Sequence, residues 1–525
     1  LKDFQKEMRR LANAHLDFTG QELTRKEADE MFKDQPFKLE LIKEFSGEDK
    51  KLTAYSTGDI FTDLCRGGHV SNTRQINPEG FKLSHLAGAY WRGSEKNPML
   101  TRIYGLAFAS KKELDAYEKM MEEAKKRDHR KLGKELQLFT IIDEIGPGLP
   151  LFYPKGAILR RLVENYIADL QESRGYVPIW IPHITKGKLY EISGHLQKYD
   201  AMYPPMQLQD EDAYYLKPMN CPHFMMLFNS IPHSYRELPV RYTSTTTNYR
   251  YEKSGELTGL TRVRALTQDD CHVFTRPDQI EEEINLMLDM IQDAYAAFGF
   301  TDFWVRISTH DPKNEEKYIG DKAIWAESEA ALEKLIKNRG WKHEIGVGEA
   351  AFYGPKLDFI LKDVLGREWQ LSTIQLDMNL PKRFNLEYTD ADGGKKQPVV
   401  IHRAILGSTE RFLAILIEHF GGAFPLWLAP VQVCIVPVSE KHLEHAHEVA
   451  KQLAGFRVQV AEENETLGKK IRNAEMQKFP YILVLGDKEI EQNAVNVRSR
   501  AKGVLGSMSV PNLIAQLTED QKMKN

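Results

Sequence analysis

Two arginine-bearing segments in the middle of the chain carry residue types suited to handling anions. One reads Tyr249-Arg250-Tyr251-Glu252 and is followed by Arg262-Val263-Arg264; the other, Gly407-Ser408-Thr409-Glu410-Arg411, opens an apolar stretch. A guanidinium is a planar fork that binds a phosphate or a carboxylate through two parallel hydrogen bonds, which lysine cannot do. A reaction between two anionic groups needs such cations to hold the groups together and to neutralise the transition state. The alternative is a set of ordinary surface ion pairs.

The cysteines are a second group with chemical potential. Cys65 and His69 form a Cys-x-x-x-His pair around a Gly-Gly turn, whereas Cys221, Cys271 and Cys434 belong to no CxxC motif. Four cysteines are too few to staple 525 residues. We therefore expect a reducing compartment, with free or metal-bound thiols.

The elements that must position the arginines are predicted to form a mixed sheet with helices against one face. Apolar residues at helical spacing predict helices over 158–174, closed by Gly175, and over about 278–298. The runs WVRIS, LDFIL and EWQLSTIQLD predict strands, and the Gly/Pro-rich segment 144–156 predicts a domain boundary.

The two flanks of this region have different patterns. Residues 111–136 are predicted to form a single charged helix with a cluster of cations near its end. That helix is either a solvated connector or a basic ridge beside nucleic acid, and charge alone favours the connector. After residue 427 the pattern alternates as β-α-β-α-β, which predicts a small doubly wound domain.

Composition narrows the possible classes of protein. The chain has 525 residues, 42% hydrophobic and 28% charged, as expected for a globular protein with more than one core. Its net charge of −4 excludes a histone-like polycation. There is no apolar run of membrane-spanning length, so no membrane association is expected. The start, Leu-Lys-Asp-Phe, is not a signal peptide and lacks Met, which suggests a processed product or a fragment.

Six segments in register resemble the threonyl-tRNA synthetase family of class II aminoacyl-tRNA synthetases. The first arginine-bearing segment, together with Thr267-Gln268-Asp269-Asp270 that follows it, resembles motif 2 of that class. The second segment resembles motif 3, and the region of Pro182 resembles motif 1. The specific resemblance is carried by Met219-Asn220-Cys221-Pro222, Ala351-Phe352-Tyr353-Gly354-Pro355-Lys356 and Ile401-His402-Arg403-Ala404-Ile405-Leu406-Gly407. It extends from about residue 30 to the C-terminus.

The resemblance implies a threonine–tRNA ligase that uses ATP with Mg²⁺ to form threonyl-adenylate and then charges threonine tRNA. Arg250 would bridge the α-phosphate and the amino-acid carboxylate, and Arg411 would bind the γ-phosphate end. Glu252 would hold the adenine amino group, and Arg262 would complete the ATP site. His195 would lie near the tRNA acceptor end and assist transfer, although a lone histidine in such a loop is more often a surface residue.

The resemblance also implies one Zn²⁺ held by Cys221, His272 and His402, whose spacing carries no local signature. One thiolate and two imidazoles suit Zn²⁺ and leave a position open, which in the family receives the threonine amino and hydroxyl groups. A site that demands a hydroxyl rejects valine strongly. The remaining residues implied to bind substrate are Asp270, at the ammonium group, and Tyr353, Gln268, Gln375 and Met219.

The N-terminal part resembles the second half of the family's editing domain, where Asp63, Cys65 and His69 match a CxxxH pair and its neighbouring acid. The HxxxH helix that would complete this site is missing before Cys65. Either the first half was removed, which we favour, or the chain does not edit.

Two departures from the family pattern surround motif 2. Ala265-Leu266 stands where the family usually has Gly-Phe, so adenine would be covered by an apolar contact without aromatic stacking. Cys271, beside His272, could compete for the metal or oxidise.

In the C-terminal domain, assigned to anticodon binding by resemblance, Arg498 and Arg500 alternate on a predicted strand and would share one face. Glu489 could accept a hydrogen bond from a base. The alternative for the arginines is an edge strand guarded by charge against aggregation.

The sequence therefore predicts a cytoplasmic homodimer with an α/β and α+β multidomain fold. Its parts are an editing-like domain over 1–110, a linker helix over 111–136, a catalytic domain over 137–427 with an antiparallel or mixed sheet, and a doubly wound anticodon-binding domain over 428–525. The alternatives are a prolyl or seryl enzyme of the same subclass, disfavoured by the metal triad, and a synthetase-like RNA-binding protein without catalysis. The last would show damage to Arg250, Arg411 or the triad, and none is seen.

Overall fold

The computed structural model describes residues 1–47, 51–209 and 211–522. These residues form two compact units, Leu1–Glu123 and Ala124–Asn525. The last three residues of the predicted 428–525 domain lie outside the described part of the chain. Among the described helices, none has the length and apolar character that a bilayer span requires.

The first unit combines short helices with a curled sheet and a long β-ribbon. Its elements are α1 (Lys2–Ala12), β1 (Phe18–Leu23), α2 (Arg25–Met31), α3 (Pro36–Gly47), β2 (Leu52–Thr57), β3 (Phe61–Leu64), β4 (Phe81–Tyr90) and β5 (Met99–Ala107). The sheet has the order β1-β2-β3 and is antiparallel, and β4 pairs with β5. A small core under the sheet joins Ala28 and Phe32 of the α2 region to Ile42 of α3 and Leu52 and Ala54 of β2.

The prediction of a single helix over 111–136 is wrong. The segment forms two helices, α4 (Lys111–Arg127) and α5 (His129–Glu135). Asp128 breaks the run with non-helical dihedrals (φ −48°, ψ 120°), and its side chain accepts a hydrogen bond from the Arg130 amide. An aspartate can satisfy a free amide at a helix start, so it favours beginning a new helix over continuing the old one. The hydrogen bond from the Arg130 side chain also lowers the pKa of Asp128 to about 2.

The larger part of the second unit is built on one mixed sheet. Its first elements are β6 (Phe139–Thr140), β7 (Leu151–Phe152), α6 (Pro154–Glu172), β8 (Val177–Pro178), β9 (Ile184–Lys186), α7 (Lys188–Ser193), α8 (His195–Lys198), β10 (Tyr214–Leu216), α9 (Cys221–Asn229), β11 (Val240–Tyr249) and β12 (Ala265–Thr275). They are followed by α10 (Ile280–Ala297), β13 (Phe303–Thr309), α11 (Lys322–Asn338), β14 (His343–Val347), β15 (Lys356–Lys362), β16 (Glu368–Asp377), α12 (Leu380–Arg383), β17 (Tyr388–Thr389), β18 (Lys395–Lys396), β19 (Val399–Ala404) and α13 (Thr409–Phe420).

The order of the large sheet is β14-β13-β15-β16-β19-β12-β11-β8. Only the outer pairs β13/β14 and β11/β8 are parallel. One face is covered by α6, α10 and α13, whose apolar residues share a continuous core with the strands. This confirms the predicted strands, the predicted helix near 278–298 and the packing of helices against one face. The opposite face is covered in part by α9 and holds the candidate site.

The C-terminal part is confirmed as a small doubly wound sheet. Its elements are β20 (Val433–Pro437), α14 (Leu443–Gln452), β21 (Val458–Val460), α15 (Leu467–Met476), β22 (Tyr481–Leu485), α16 (Asp487–Glu491), β23 (Val495–Ser499), β24 (Gly503–Met508) and α17 (Val510–Lys522). The order is β21-β20-β22-β23-β24, with the first three strands parallel. Helices α14 and α17 pack on one face and α15 on the other, which gives the sheet two cores.

Candidate active site and metal centre

Sheet register brings together the residues proposed as metal ligands. His272 on β12 lies directly opposite His402 on β19, and their ring centroids are 4.4 Å apart. Cys221 begins α9, which covers this face of the sheet. Ligand atoms of the three side chains lie within 4.8 Å of one another, and all three residues are buried. Residues separated by 51 and 130 positions in the sequence thus converge on one point.

The donor chemistry of this group fits a metal ion. Among the described residues, neither ring nitrogen of His272 has a hydrogen-bond partner, although the ring is buried. The Nε2–H of His402 donates to Asp377 Oδ2 at 2.9 Å, which leaves Nδ1 available. Burial raises the pKa of the Cys221 thiol and lowers the pKa of His272. An enclosed thiolate needs a cation beside it, and a cation bound here would take one ring nitrogen from each histidine. It would therefore give the Cys221 thiolate and one nitrogen of His272 a partner.

Cys271 does not face this centre, contrary to the expectation that it could compete for the metal. Neighbouring side chains on a strand point to opposite faces of the sheet. Cys271 is fully buried in the helix-covered core, and burial raises the pKa of its thiol to about 12. It is therefore shielded both from the metal centre and from oxidants.

A chain of buried polar groups ends at Asp270, the proposed ammonium-binding residue. Lys217 Nζ donates to Thr246 Oγ1 at 2.7 Å and to Asn220 Oδ1 at 2.9 Å. Asn220 in turn donates from Nδ2 to Asp270 Oδ2 at 2.9 Å. Burial raises the pKa of Asp270 to about 6 and lowers the pKa of Lys217 to about 8.

Sequence reasoning missed Lys217 and Asn220, although Asn220 stands inside a segment that carries the resemblance. A lysine among apolar residues has no local signal of burial, and its partner Thr246 is 29 positions away. Met219, beside them, is half-buried.

Tyr353, Gln375 and Gln268 connect the metal centre to a neighbouring cavity. The Tyr353 ring stacks on His402 with centroids 5.2 Å apart, and its hydroxyl donates to Gln375 Oε1 at 2.5 Å. Gln375 lies opposite His402 in the sheet. Gln268 donates to the Gly407 carbonyl at 3.1 Å and accepts from Asn248 at 2.7 Å. These contacts fix each side chain at the border between the two regions.

The cavity has a volume of about 370 Å³ and is open to solvent. Its lining includes all the residues proposed for ATP, together with both glutamines: Arg250, Glu252, Arg262, Arg411, Gln268 and Gln375. Leu266, which stands in the place of the usual phenylalanine, also lines it. Sequence reasoning did not single out Lys356, Asp358, Gln370 and Thr373, which complete the wall from β15 and β16. The alternation of Lys356 and Asp358 on β15 is a signal that could have found two of them.

The arginines are held from behind by backbone carbonyls. Arg411 Nε donates to the Thr261 carbonyl at 3.0 Å, and Arg250 Nε donates to the Pro218 carbonyl at 3.3 Å. Burial, with the nearby charges of Arg250 and Arg262, lowers the pKa of Arg411. Glu252 accepts from Arg262 at 2.8 Å. The cavity thus gathers more cations than its carboxylates neutralise, as a polyphosphate site requires.

His195 is buried, in contrast to the surface position that is usual for such a loop residue. It begins α8, its Nδ1 lies 2.8 Å from Ser193 Oγ, and its ring meets Phe352 edge-on at 5.2 Å. Burial lowers the pKa of His195 to about 4. The imidazole is therefore neutral at physiological pH.

In the first unit, Cys65 and His69 come together, with Sγ 3.1 Å from Nε2. The His69 ring stacks on Phe18 at 5.2 Å. Asp63 forms an ion pair with Lys38 at 2.7 Å, and Lys38 comes from α3. Cys65 and His69 are thus already in contact, and the charge of the neighbouring Asp63 is balanced by Lys38.

In the C-terminal domain, the residues proposed for the anticodon already have partners. Arg498, on β23, lies 4.0 Å from Glu475 of α15. Arg500 is just beyond the strand and donates to the carbonyls of Lys478 and Phe424. Glu489 accepts from the Gly486 amide at 3.0 Å and caps α16. Arg498 is held by one long ion pair, whereas Arg500, although more exposed, is held by two backbone carbonyls.

Three family models match the chain. A model of the tRNA synthetase class II core domain (G, H, P, S and T) matches 205–420, and an anticodon-binding domain model matches 432–520. The threonyl and alanyl tRNA synthetase second additional domain matches 52–104. A prolyl-tRNA synthetase structure from Giardia lamblia shares the fold, with a TM-score of 0.58 at 15% identity over 77% of this chain and 81% of that one. The fold and the site define a class II aminoacyl-tRNA synthetase.

Similarity to individual proteins narrows this class. The threonine–tRNA ligase of Rubrobacter xylanophilus is 51% identical over 96% of this chain and 78% of its own length. That of Deinococcus radiodurans is 50% identical over 95% and 77%. The RNA-binding domain structure of the Cryptosporidium parvum threonyl-tRNA synthetase has a TM-score of 0.71 at 37% identity, covering 75% of this chain and 98% of that one. The chain belongs to the threonyl-tRNA synthetase family.

Proposed function

We propose that this chain activates L-threonine with ATP and transfers it to the 3′ end of threonine tRNA. The observation that carries the proposal is the junction of two sites. A cation-rich cavity suited to ATP adjoins, through Gln375 and Tyr353, a buried Cys-His-His group suited to a metal. Neither site alone distinguishes this reaction from other uses of ATP.

In the activation step, a carboxylate oxygen of threonine attacks the α-phosphorus of ATP, and pyrophosphate leaves. Arg250 bridges the α-phosphate and the attacking carboxylate, which reduces their repulsion and places them in line. Arg411 binds the γ-phosphate end of the departing pyrophosphate. Glu252 accepts from the adenine amino group, and Arg262, its ion-pair partner, binds beside it. Leu266 covers the base by apolar contact. Mg²⁺ accompanies ATP as part of the substrate.

Threonine selection is assigned to the metal centre, with Cys221, His272 and His402 as holders of one Zn²⁺. When bound, the ion would act as a Lewis acid whose coordination sphere is open to the amino and hydroxyl groups of threonine. Asp270 orients the ammonium group, and its own orientation is fixed by Asn220 and Lys217. Tyr353 and Gln375 close the pocket, with Met219 and Gln268 at its edge. A valine side chain offers no hydroxyl, so it leaves the site unsatisfied.

In the transfer step, a terminal ribose hydroxyl attacks the adenylate carbonyl, AMP leaves, and the hydroxyl proton passes to the departing phosphate. The buried, unprotonated ring of His195 packs against Phe352, and we assign it the role of accepting a hydrogen bond in this step or orienting the ribose. Its low pKa makes it a weak base, which favours a positioning role over full proton abstraction.

The remaining assignments concern domains and partners. We divide the chain as 1–110, 111–136, 137–427 and 428–525, for editing, linking, catalysis and anticodon binding, and place it in the cytoplasm. Arg498, with Glu489 and Arg500, would contact anticodon bases, and Asp63, Cys65 and His69 would form part of an editing site.

The exposed apolar surface beside edge strand β8 supports the proposal that the protein is a homodimer. Strand β8 ends the large sheet, and next to it the Trp180 side chain is 80% exposed. Val177 and Ile184 nearby are also exposed. Large apolar side chains at an unpaired sheet edge are typical of a subunit interface. This edge lies in the predicted motif 1 region.

The test is threonine-dependent ATP–pyrophosphate exchange, compared across threonine, serine, valine and proline, with zinc measured on the same preparation. We expect exchange with threonine far above valine and proline, and about one zinc per chain. Arg250→Ala should abolish exchange without loss of zinc. Exchange at the parent level in that variant would refute the role of Arg250 in activation. Full activity in a zinc-free preparation would refute the role of the metal centre.

A further inference from the structure

His129, the first residue of α5, is a fully engaged buried histidine that none of the roles above uses. Its side chain is 4% exposed, and its Nδ1–H donates to Glu418 Oε1 at 2.6 Å. Its backbone amide donates to the same oxygen at 3.0 Å. On the other side of the ring, the Leu260 amide donates to Nε2 at 3.1 Å. The ring therefore connects the end of α13 to residues 258–262, here called the cavity loop.

These contacts determine the state of the ring. A nitrogen that accepts from a backbone amide carries no proton, so the proton of the neutral ring is on Nδ1. Glu418 is suited to receive it, since its other oxygen accepts from Arg367. Burial alone would raise the pKa of Glu418, but the hydrogen bonds from His129 and Arg367 outweigh it and lower that pKa. Asp128, His129 and Glu418 lie close enough to hold a metal, yet both ring nitrogens are already used.

The cavity loop is shaped to fit this ring. Gly259 has φ +48°, and a Cβ atom there would stand 2.2 Å from His129 Nε2. A side chain at this position would displace the imidazole. Two residues further on, the Thr261 carbonyl accepts from Arg411 Nε at 3.0 Å. The loop is thus held by His129 from outside the cavity and by Arg411 from inside.

We propose that His129 is a positioning residue for ATP binding, which acts by fixing the cavity loop that orients Arg411. The proposal rests on the role of Arg411 in binding ATP. Without an acceptor at Nε2, the buried Leu260 amide would be unsatisfied, and the loop would shift to find another partner. The Thr261 carbonyl would move with it, so the Arg411 guanidinium would lose its alignment with the phosphates. The threonine pocket, built on β12, β16 and β19, does not depend on this loop.

Two near-isosteric variants separate the two ends of the ring. In His129→Asn, the side-chain amide reaches the place of Nδ1 and can still donate to Glu418, but nothing accepts from Leu260. In His129→Gln, the longer side chain brings its oxygen to the place of Nε2, so it can accept from Leu260. We expect KM for ATP in pyrophosphate exchange to rise about tenfold in the Asn variant, with KM for threonine within about twofold of the parent. The Gln variant should recover most of the ATP affinity.

A purely structural role would lower the melting temperature and the active fraction without this asymmetry between substrates. Equal changes in both KM values, or a Gln variant no better than the Asn variant, would overturn the proposal. If the Asn variant does not fold, a tenfold rise of KM for ATP in a folded Gln variant would also overturn the proposal. Arg411→Ala serves as reference: parent-like KM for ATP there refutes the role of Arg411 itself. Impaired Arg411→Ala beside an unaffected His129→Asn refutes only the inference about His129.

Discussion

Arg411 provides the sharpest test of the proposed chemistry, because its contribution to binding should be large while its net contribution to folding should be small. We consider Arg411→Met, which removes the charge, and Arg411→Lys, which keeps the charge but removes the fork. Arg411 is mostly buried, and burial together with the charges of Arg250 and Arg262 already lowers its pKa. The folded protein therefore tolerates this cation at some electrostatic cost, which removal of the charge would relieve.

The magnitudes follow from its contacts. Losing the Arg411 bond to the Thr261 carbonyl removes about 1 kcal/mol of stability, which relief of the repulsion offsets. We expect the melting temperature of Arg411→Met to stay within about 4 °C of the parent. Losing a charge-assisted contact to the phosphate in an enclosed site should cost about 4 kcal/mol, roughly a thousandfold in kcat/KM. Arg411→Lys should lose about a hundredfold, because a lysine retains the charge without the bidentate geometry.

The assay is threonine-dependent ATP–pyrophosphate exchange at matched zinc content, beside thermal unfolding of the same samples. Exchange in Arg411→Lys within about threefold of the parent would show that charge alone is sufficient and would refute the argument from the fork. A large loss of melting temperature in Arg411→Met would show that Arg411 is mainly structural.

Three further outcomes are expected. Cys221→Ser should retain far less zinc by metal analysis, because a hydroxyl is a poorer ligand than a thiolate. It should also lose threonine activation while its circular dichroism spectrum stays unchanged. Full zinc retention would contradict the ligand assignment. Burial lowers the pKa of His195 from 6.5 to about 4. As the pH falls, the histidine is therefore protonated in the unfolded chain before it is protonated in the folded protein. The folded state should lose up to about 3 kcal/mol of stability between pH 6.5 and pH 4. The melting temperature of His195→Gln should therefore fall less steeply over this range than that of the parent, and parallel slopes would argue against the buried neutral ring. Arg498→Ala should raise KM for tRNA in aminoacylation without altering pyrophosphate exchange, and loss of exchange in this variant would mean that its strand supports the fold. Arg500→Ala should instead lower the melting temperature, because its hydrogen bonds to two carbonyls are lost.

Much of the architecture could be predicted from local patterns. The helix α10 follows from apolar residues at helical spacing, and the C-terminal alternation of strands and helices from short apolar runs separated by amphipathic segments. The connector was predicted less well, because its composition is helical throughout and the break depends on one side chain. Asp128 ends α4 and caps α5, and only the resulting change of direction allows His129 to reach Glu418.

The sequence by itself determined the residue types of the site and, through the family resemblance, which residues are proposed as metal ligands and phosphate-binding arginines. Their convergence was decided by the tertiary structure, since His272 and His402 become neighbours only through the pairing of β12 with β19. The structure also decided which groups are buried. Burial separates Cys271 from the candidate metal centre and gives Lys217, Asn220 and His129 their hydrogen-bond partners around the candidate site. The physical reason is that burial and long-range hydrogen bonding depend on what the rest of the chain places around a residue. A local sequence pattern contains little of that information.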